Sequence, residues 1–495
     1  MLEKIGFDNE VYLQMQSQRI RERIGQFGGK LYLEFGGKLF DDHHASRVLP
    51  GFQPDSKIRM LLQLKEDVEI VVAVSAEDVE KNKVRGDLGI PYTTDTLRLI
   101  DAFRDFGLTV SSVVLTRYGG QPSAELFQRQ LENCGLRVYR HYPIEGYPYD
   151  IPKIVSDEGY GKNEFVETTH SLVVVTAPGP GSGKMAVCLS QLYHEYQRGI
   201  TAGYAKYETF PVWNLPLRHP VNIAYEAATA DLNDMNMIDP YHLEAYGETT
   251  VNYNRDVEIF PVLKTMFEGI SGKSPYQSPT DMGVNTAGYC IIDDEIVLAA
   301  AKDEILRRYY QEQHRHRRGL SDGKEIYKIE LLMKELNLTP LSRSVVGPAL
   351  EVAKETGAPA AALELPSGKI LTGKTSDLLG AASALLLNAL KFLGGIDEEA
   401  HLISPTVIAP VQELKVTVLG NKNPLLHIDE LLVALSICAV TDPNAKLAMD
   451  QLQRLRGSDV HSTVILSEAD EDSFRRLGVH LTCEPRYETS KLYHG

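Results

Sequence analysis

The stretch that decides the fold is Leu172-Val-Val-Val-Thr-Ala-Pro-Gly-Pro-Gly-Ser-Gly-Lys-Met-Ala186. Residues 172–175 form an unbroken apolar run, which predicts a strand buried on both faces of a parallel sheet. A glycine-rich loop follows, and after it apolar side chains recur with a helical period at Met185, Cys188, Leu189 and Leu192. This order of strand, loop and helix is the context in which backbone N–H groups and a helix N-terminus bind phosphate.

Residues 179–184, called the glycine loop from here on, resemble part of the phosphate-binding loop of nucleotide kinases. Glycines let the backbone N–H groups turn towards an anion, and the ammonium group of the loop lysine can reach a terminal phosphate. We therefore predict a site for a nucleotide or another phosphorylated small molecule. Its binding residues are Gly179, Gly181, Ser182, Gly183 and Lys184.

The segment departs from the standard pattern G-x-x-x-x-G-K-[ST] in two respects. Pro178 takes the place of the first glycine, and Met185 and Ala186 stand where a hydroxyl group would ligate Mg²⁺. A nucleotide remains the candidate ligand, the participation of Mg²⁺ is left open, and no metal ligand is assigned. The alternative is a tight turn between strand and helix that binds nothing.

The rest of the first third of the chain alternates between strand-like and helical patterns. Such alternation predicts an α/β fold with a doubly wound, Rossmann-like sheet. The strand patterns lie at residues 31–35, 69–74, 110–115 and 136–139, and the helical patterns at residues 11–24, 94–106 and 124–133.

A polar and aromatic region follows the glycine loop, from about residue 204 to residue 278. Lys206 and Glu208 lie on the next predicted strand, and their side chains share a face because a strand has a period of two. Together with Lys184, they are the predicted catalytic residues. The alternative is that the polar residues of this region form helix caps and salt bridges between subunits.

The sequence suggests three domains. We predict a Rossmann-like domain over residues 1–225, a helix-rich middle domain over residues 226–340 and an α+β domain over residues 341–495. In the last of these, Gly368-Lys-Ile-Leu-Thr-Gly-Lys-Thr375 matches the phosphate-loop pattern in every letter. Its interior is strand-like, so we predict a β-hairpin there, followed by an apolar helix. Further strands are predicted at residues 414–419 and 463–465.

Other motifs carry weaker signals. His194-Glu195-x-x-Arg198 lacks the second histidine of a zinc-peptidase helix, so a helix turn facing solvent is expected there. Residues 41–44, Asp-Asp-His-His, are expected to form a polar loop. The five cysteines are not spaced as zinc or redox pairs, and they are Cys134, Cys188, Cys290, Cys438 and Cys483.

Composition narrows the classes of function. With 51 Lys plus Arg against 67 Asp plus Glu, the net charge is -16, which disfavours binding to nucleic acid or to an anionic membrane. No apolar run is long enough for a membrane span, and residues 1–10 lack a secretory signal. We expect a cytoplasmic protein.

Five segments together resemble a bacterial family catalogued only as domain of unknown function 1846. They are residues 32–40, 41–50, 177–184, 252–261 and 278–285. The resemblance implies a cytoplasmic, multidomain α/β protein without an assigned reaction. Some members carry an ATP-dependent zinc-peptidase label, which the incomplete motif at His194 does not support. The C-terminal hairpin and helix are also similar in layout to the cytidine-deaminase-like fold, without its zinc ligands.

The leading hypothesis from the sequence is an enzyme that transfers a phosphoryl or adenylyl group. The alternative is a non-catalytic protein that senses a phosphorylated metabolite or assembles into oligomers, with the aromatic middle region as the interface between subunits. In either case we expect a homo-oligomer.

Overall fold

The computed structural model describes residues 5–36, 39–85 and 88–488. The chain divides between Ala301 and Lys302 into two compact units, called the N-terminal and the C-terminal unit below. The predicted division into three domains, with edges at residues 225 and 340, stays a prediction. Gly37, part of the Gly-Gly turn expected after the first strand, lies outside the described residues.

The N-terminal unit alternates strands and helices over most of its length. Its strands are β1 Leu31–Phe35, β2 Val68–Ser75, β3 Val84–Arg85, β4 Ile90–Pro91, β5 Thr109–Thr116, β6 Arg137–Arg140, β7 Leu172–Thr176, β8 Gly203–Tyr207, β9 Asn236–Ile238, β10 Val251–Tyr253 and β11 Gly283–Val284. Its helices are α1 Asn9–Gln26, α2 His43–Val48, α3 Ser56–Leu62, α4 Ala76–Glu80, α5 Tyr92–Asp105, α6 Pro122–Asn133, α7 Ile151–Ile154, α8 Lys184–Gln197, α9 Pro220–Ala228, α10 Pro240–Tyr246, α11 Asn254–Ser271 and α12 Pro279–Met282. Helix α13, Asp294–Arg317, contains the division between the units.

Seven of these strands form one parallel sheet in the order β11-β8-β1-β7-β2-β5-β6. The predicted α/β class is thereby confirmed. Every residue of β2 and of β7 is buried, as expected for strands covered on both faces by helices.

The connections of this sheet place the glycine loop. The chain runs from β2 outwards to β5 and β6, whereas from β7 it crosses β1 to reach β8 and then β11. The neighbours β7 and β2 therefore lead into crossovers that run in opposite directions. In open parallel sheets ligands bind beyond the carboxyl ends of two such strands, and the glycine loop follows the carboxyl end of β7.

The C-terminal unit is an α+β unit with a sheet of four strands. Its strands are β12 Ala360–Glu364, β13 Ile370–Lys374, β14 Asp459–Ser462 and β15 His480–Cys483, in the order β13-β12-β14-β15. Its helices after α13 are α14 Lys324–Glu335, α15 Val346–Thr356, α16 Ala381–Gly394, α17 Pro405–Glu413, α18 Ile428–Cys438, α19 Pro443–Met449 and α20 Glu468–Arg476. Its core consists of apolar residues from this sheet and from helices α16, α17, α18, α19 and α20.

The letter-for-letter phosphate-loop match in this unit is a hairpin. β12 and β13 pair antiparallel, with Glu364 opposite Ile370, and the apolar helix α16 follows. The prediction of a hairpin and helix is confirmed. The strand predicted at residues 463–465 is misplaced, because the strand lies at Asp459–Ser462, where it pairs with both β12 and β15.

The strand predicted at residues 414–419 is wrong. Leu414–Val418 form a π-helical turn that continues α17. Val416 and Val418 alternate as in a strand, but Lys415 between Leu414 and Val416 is buried in the turn. Its ammonium group donates to the carbonyl oxygen of Leu425 and to Glu430 Oε2, both at 2.8 Å.

Within the described part of the chain, none of the helices combines the length and apolar character that a membrane crossing requires.

Candidate functional site

Three glycines give the glycine loop its path from β7 into α8. Gly181 and Gly183 have φ angles of +75° and +85°, which residues with a side chain rarely adopt. At Gly179 a Cβ atom would lie 2.1 Å from the hydroxyl oxygen of Tyr92. Each glycine is therefore required by the local geometry, two by backbone conformation and one by close packing.

Hydrogen bonds hold the carbonyl groups of the loop. The Ser182 hydroxyl donates to the Gly179 carbonyl oxygen at 2.8 Å. From the end of β5, the Thr116 hydroxyl donates to the Ser182 carbonyl oxygen at 2.7 Å and Arg117 Nη2 donates to the Gly181 carbonyl oxygen at 2.8 Å. The carbonyl oxygens of Gly179, Gly181 and Ser182 therefore all accept hydrogen bonds, and the Ser182 hydroxyl donates within the loop.

The donors of the same segment are left without partners. Among the described residues, the backbone N–H groups from Gly181 to Ala186 have no hydrogen-bond partner, and neither does the Lys184 ammonium group. Lys184 is the first residue of α8 and has an intermediate exposure. Free N–H groups at a helix N-terminus carry partial positive charge, and the lysine adds a full charge. This arrangement can hold an anion.

A second group of charged residues lies at the carboxyl ends of β1 and β8. It consists of Glu34, Lys206, Glu208 and Asp256 and is called the acid–lysine cluster below. Lys206 Nζ lies 2.8 Å from Glu208 Oε1 and 2.5 Å from Asp256 Oδ2. The predicted proximity of Lys206 and Glu208 is confirmed, and Asp256 reaches them from the first turn of α11.

Glu34 connects this cluster to the glycine loop. It lies in register with Val175 of β7 on one side and with Lys206 of β8 on the other. Since neighbouring strands are about 5 Å apart, Lys206 and Val175 are separated by about 10 Å across the sheet. The Cys188 thiol, one turn into α8, is close enough to both Glu34 and Lys184 for its pKa to be raised by the first and lowered by the second, besides the larger effect of burial.

Electrostatics within the cluster favour a charged lysine and a protonatable glutamate. Burial disfavours the Lys206 ammonium group, but Asp256, Glu208 and Glu34 outweigh burial and raise the Lys206 pKa well above its ordinary value. Burial first, and then the Asp256 and Glu34 carboxylates, raise the pKa of Glu208 to about 7, against the opposing effect of Lys206. A carboxyl group with a pKa near neutrality can both donate and accept a proton under physiological conditions.

The raised pKa predicts how the Glu208→Gln variant changes stability with pH. The folded state keeps the Glu208 proton up to about pH 7, whereas the unfolded state loses it near the ordinary pKa of 4.5. Ionisation therefore costs the wild-type protein stability as pH rises through this window, by up to about 3 kcal/mol, and glutamine removes that cost. Urea unfolding should show a gain for Glu208→Gln over wild type that is larger at about pH 8 than at about pH 5.

The control for this measurement is Glu258→Gln, which changes an exposed glutamate on α11. Its difference from wild type should be the same at both pH values. A Glu208→Gln difference that is equally independent of pH would contradict a raised pKa at Glu208.

The motif at His194 and Glu195 does not face solvent, so that expectation is wrong. Glu195 is 1% exposed, accepts a hydrogen bond from the Tyr32 hydroxyl at 2.7 Å and pairs with Lys30 Nζ at 2.6 Å. His194 Nε2 lies 2.8 Å from the carbonyl oxygen of Asn163. The glutamate faces the sheet because α8 packs on β1, and these contacts secure the helix that follows the glycine loop.

Residues 41–44 are only in part the polar loop that the sequence suggested, because helix α2 begins at His43. Asp42 caps α2, accepting from the Ala45 N–H at 3.1 Å, and its other carboxylate oxygen lies 2.7 Å from Lys57 Nζ. His44 packs edge-on against the rings of Phe210 and Tyr225. The Asp42 cap, held by its buried ion pair with Lys57, stabilises the start of this short helix.

Sequence reasoning missed several residues around the site. Glu34 is the one charge in the apolar strand Leu31–Phe35, a signal that could have identified it. Tyr147 had no such signal. Burial raises its pKa, the Glu34 carboxylate adds to this and Arg117 opposes it, so the phenol lies near the groups that surround the loop.

Over the described ranges of the chain, no group of three or more His, Cys, Asp and Glu side chains is placed to hold a metal ion. In the acid–lysine cluster the ammonium group of Lys206 lies between the two carboxylates, at the distances given above.

Comparison with known proteins gives a family without an assigned reaction. Residues 5–337 match the family described as domain of unknown function DUF1846, N-terminal, and residues 341–493 match its C-terminal counterpart. A UPF0371 protein of Streptococcus sanguinis strain SK36 is 56% identical over 492 residues, 99% of this chain and 100% of the relative. A UPF0371 protein of Streptococcus pneumoniae strain Hungary19A-6 is 55% identical with the same coverage. The resemblance seen in the sequence is confirmed.

Proposed function

We propose that this chain, which belongs to the DUF1846 family, binds a nucleotide or another phosphorylated small molecule at the glycine loop. The observation that carries the proposal is the set of unpartnered donors at one place, the N–H groups from Gly181 to Ala186 together with the Lys184 ammonium group. They follow the carboxyl end of β7, beside the strand at which the sheet's connections change direction. A doubly wound, Rossmann-like sheet is part of this proposal.

Each part of the loop has a role in this proposal. The N–H groups of Gly181, Ser182 and Gly183 hold phosphate oxygens, and the N-terminus of α8 adds partial positive charge. Gly179 permits the close approach of Tyr92, which shapes the entrance to the loop. Lys184 neutralises the charge of an outer phosphate.

The acid–lysine cluster supplies proton transfer in the same proposal. Glu208, with a pKa near neutrality, takes the proton from an attacking group or returns it to a leaving group. Lys206 stays charged and positions Glu208 through their contact of 2.8 Å. Phosphoryl or adenylyl transfer requires a site that binds the phosphate groups and a nearby group that transfers a proton. Met185 and Ala186 offer no hydroxyl ligand, so any Mg²⁺ would have to arrive with the nucleotide or bind carboxylates.

For the C-terminal unit we propose a fold similarity but no reaction. Its strand order, β13-β12-β14-β15, together with a hairpin followed by a helix, is what supports a deaminase-like layout. Ser376, Asp377 and Leu378 stand where that class of enzyme begins its zinc motif, so deaminase chemistry is not proposed.

The proposal is tested by the Lys184→Ala variant. Binding of ATP, ADP and inorganic phosphate to the full chain is measured by isothermal titration calorimetry, with and without Mg²⁺. We expect at least one of these probes to bind wild type, and Lys184→Ala to bind it about tenfold or more weakly, since a charge-assisted contact to phosphate contributes about 1.5–3 kcal/mol.

The matched control is Lys81→Ala, which removes the same charge from an exposed lysine of the same unit. It should bind the probe as wild type does. Equal affinities of wild type, Lys184→Ala and Lys81→Ala would reject the glycine loop as the anion site. Turnover of ATP that is lost in Glu208→Gln supports the enzyme, whereas tight binding without turnover supports the non-catalytic sensor.

A further inference from the structure

We infer that two copies of this chain form a symmetric dimer through an apolar patch on the C-terminal unit. The patch comprises exposed side chains of the π-helical turn after α17 and the residue that follows it, and of α18 and the turn that follows it, and is called the C-terminal patch below. Its members are Leu414, Val416, Val418, Leu419, Val433, Ile437 and Val440. The inference concerns a surface separate from the glycine loop and does not depend on the proposed function.

The helix α18 has two apolar faces, of which its own unit covers only one. Leu431, Ala434, Leu435 and Cys438 pack into the core of the C-terminal unit. Val433 and Ile437, four residues apart on the other side of the helix, are 62% and 54% exposed, and Val440, in the turn two residues beyond the end of α18, is 82% exposed. Spacings of three and four residues align side chains along one side of a helix.

The π-helical turn is joined to the start of α18. Lys415 ties the turn to the first turn of α18, because its buried ammonium group donates to Glu430 Oε2 and to the Leu425 carbonyl oxygen. On either side of this lysine, Leu414 and Leu419 remain 50% and 73% exposed. Two neighbouring segments therefore present aliphatic side chains to solvent.

The size of the patch matches what one partner contributes to a stable dimer. Its seven side chains are 41–82% exposed. With about 100 Å² of apolar surface for a fully exposed aliphatic side chain, this amounts to about 400 Å². A standard interface buries about 800 Å² on each partner, of which somewhat more than half is apolar. The patch provides about this apolar area.

Charge favours a second copy as the occupant. The chain carries a net charge of -16, so most of its surface repels an identical molecule. The segment from Leu431 to Val440 contains no charged residue, and the one lysine of the π-helical turn is buried. Interfaces of homodimers are more apolar than those of transient complexes, and a two-fold axis places the same patch on both partners.

In the aromatic middle region, which the sequence suggested as an interface, three rings pack on one another within the chain. Phe210, Tyr225 and Tyr253 stack on one another with ring centroids 5.2 Å and 5.4 Å apart. Phe210 is 7% and Tyr253 is 5% exposed. These three rings stabilise the N-terminal unit and are not available to a partner.

The test is the solution mass of the full chain and of the Val433→Asp/Ile437→Asp variant. By sedimentation velocity at up to about 50 µM, a concentration at which a complex with a micromolar Kd is populated, wild type should have twice the chain mass of 55.1 kDa. In the variant, carboxylates face each other across the two-fold axis, so the mass should fall to that of one chain, with Kd raised about 100-fold or more. Far-ultraviolet circular dichroism checks that the variant is folded.

The control is Leu126→Asp, an exposed leucine on α6 of the other unit, which should stay dimeric. A wild-type monomer at the highest concentration would overturn the inference, and so would a variant that remains dimeric. A wild-type monomer that floats with phosphatidylcholine vesicles would assign the patch to lipid and equally overturn it.

A second measurement does not depend on the aspartate variants folding. In a Cys134→Ser background, which removes the exposed cysteine, Ile437→Cys should be converted to a covalent dimer by a short bismaleimide. Leu126→Cys in the same background is the matched control and should stay monomeric on a denaturing gel. Equal cross-linking of the two variants would contradict a dimer axis at α18.

Discussion

Substituting Lys206 by methionine is expected to destabilise the N-terminal unit by about 3 kcal/mol at about pH 8, and by much less at about pH 5. Methionine keeps the length of the side chain but leaves Glu208 and Asp256 without their shared ammonium partner. Glu208 has only 5% of its side chain exposed, so water cannot replace the lost contact. At about pH 5 Glu208 is protonated, because its pKa is about 7, so its uncompensated charge is absent.

The single tryptophan, Trp213, provides the measurement. A Cβ atom built on Gly283 would lie 2.5 Å from the Trp213 ring and 2.9 Å from Glu208 Oε2, so the indole lies beside the acid–lysine cluster. Urea unfolding followed by its fluorescence should give the two free energies of unfolding. Lys273→Met, at an exposed lysine, is the control. If Lys206→Met lowers the free energy of unfolding equally at both pH values, packing rather than charge accounts for the effect.

The Arg343→Met variant is expected to destabilise the C-terminal unit by a similar amount, about 3 kcal/mol. Arg343 is 1% exposed and joins three elements. Its Nη1 donates to both carboxylate oxygens of Asp303 on α13 at 2.6 Å, its Nη2 to Asp459 Oδ1 on β14 at 2.8 Å, and its Nε to Thr482 Oγ1 on β15 at 3.2 Å. The side chains of Asp303 and Asp459 are 39% and 29% exposed. The expected loss of unfolding free energy is therefore at the lower end of the range for a broken buried ion pair.

Hydrogen exchange measures this effect where it occurs, because Trp213 belongs to the other unit. Amides of β14 and β15 should exchange faster in Arg343→Met and recover in part when Asp303→Asn is added, since one uncompensated carboxylate is then removed. Arg476→Met, at an exposed arginine of α20, should leave their exchange unchanged. Unchanged exchange in Arg343→Met would show that the arginine does not hold the three elements together.

Much of the architecture could be predicted because its signals are local. The apolar run at residues 172–175 predicted β7, and the glycines at 181 and 183 predicted the positive φ angles of the loop. The strand-like residues 369–372 indicated that the phosphate-loop match is accidental. Each of these depends on side chains within a few positions of one another, so periodicity and backbone preference are sufficient evidence.

The acid–lysine cluster could be predicted only in part. Lys206 and Glu208 are two residues apart, so the strand period predicts that their side chains lie on the same face. Glu34 and Asp256 join them because β1 lies beside β8 and α11 starts next to β8, and neither neighbour follows from sequence distance. The burial of Glu195 was missed for the same reason, since it depends on Lys30 and Tyr32 of a distant segment.

The sequence by itself determined the family, the α/β class and the presence of a glycine loop between a buried strand and a helix, because these depend on composition and short-range pattern. Only the tertiary structure decided which charges surround that loop, that Leu414–Val418 form a helical turn, and that α18 has an uncovered apolar face. The physical reason is that the order of strands in a sheet and the burial of a charge depend on contacts between residues far apart in the chain, and such contacts leave no periodic signal.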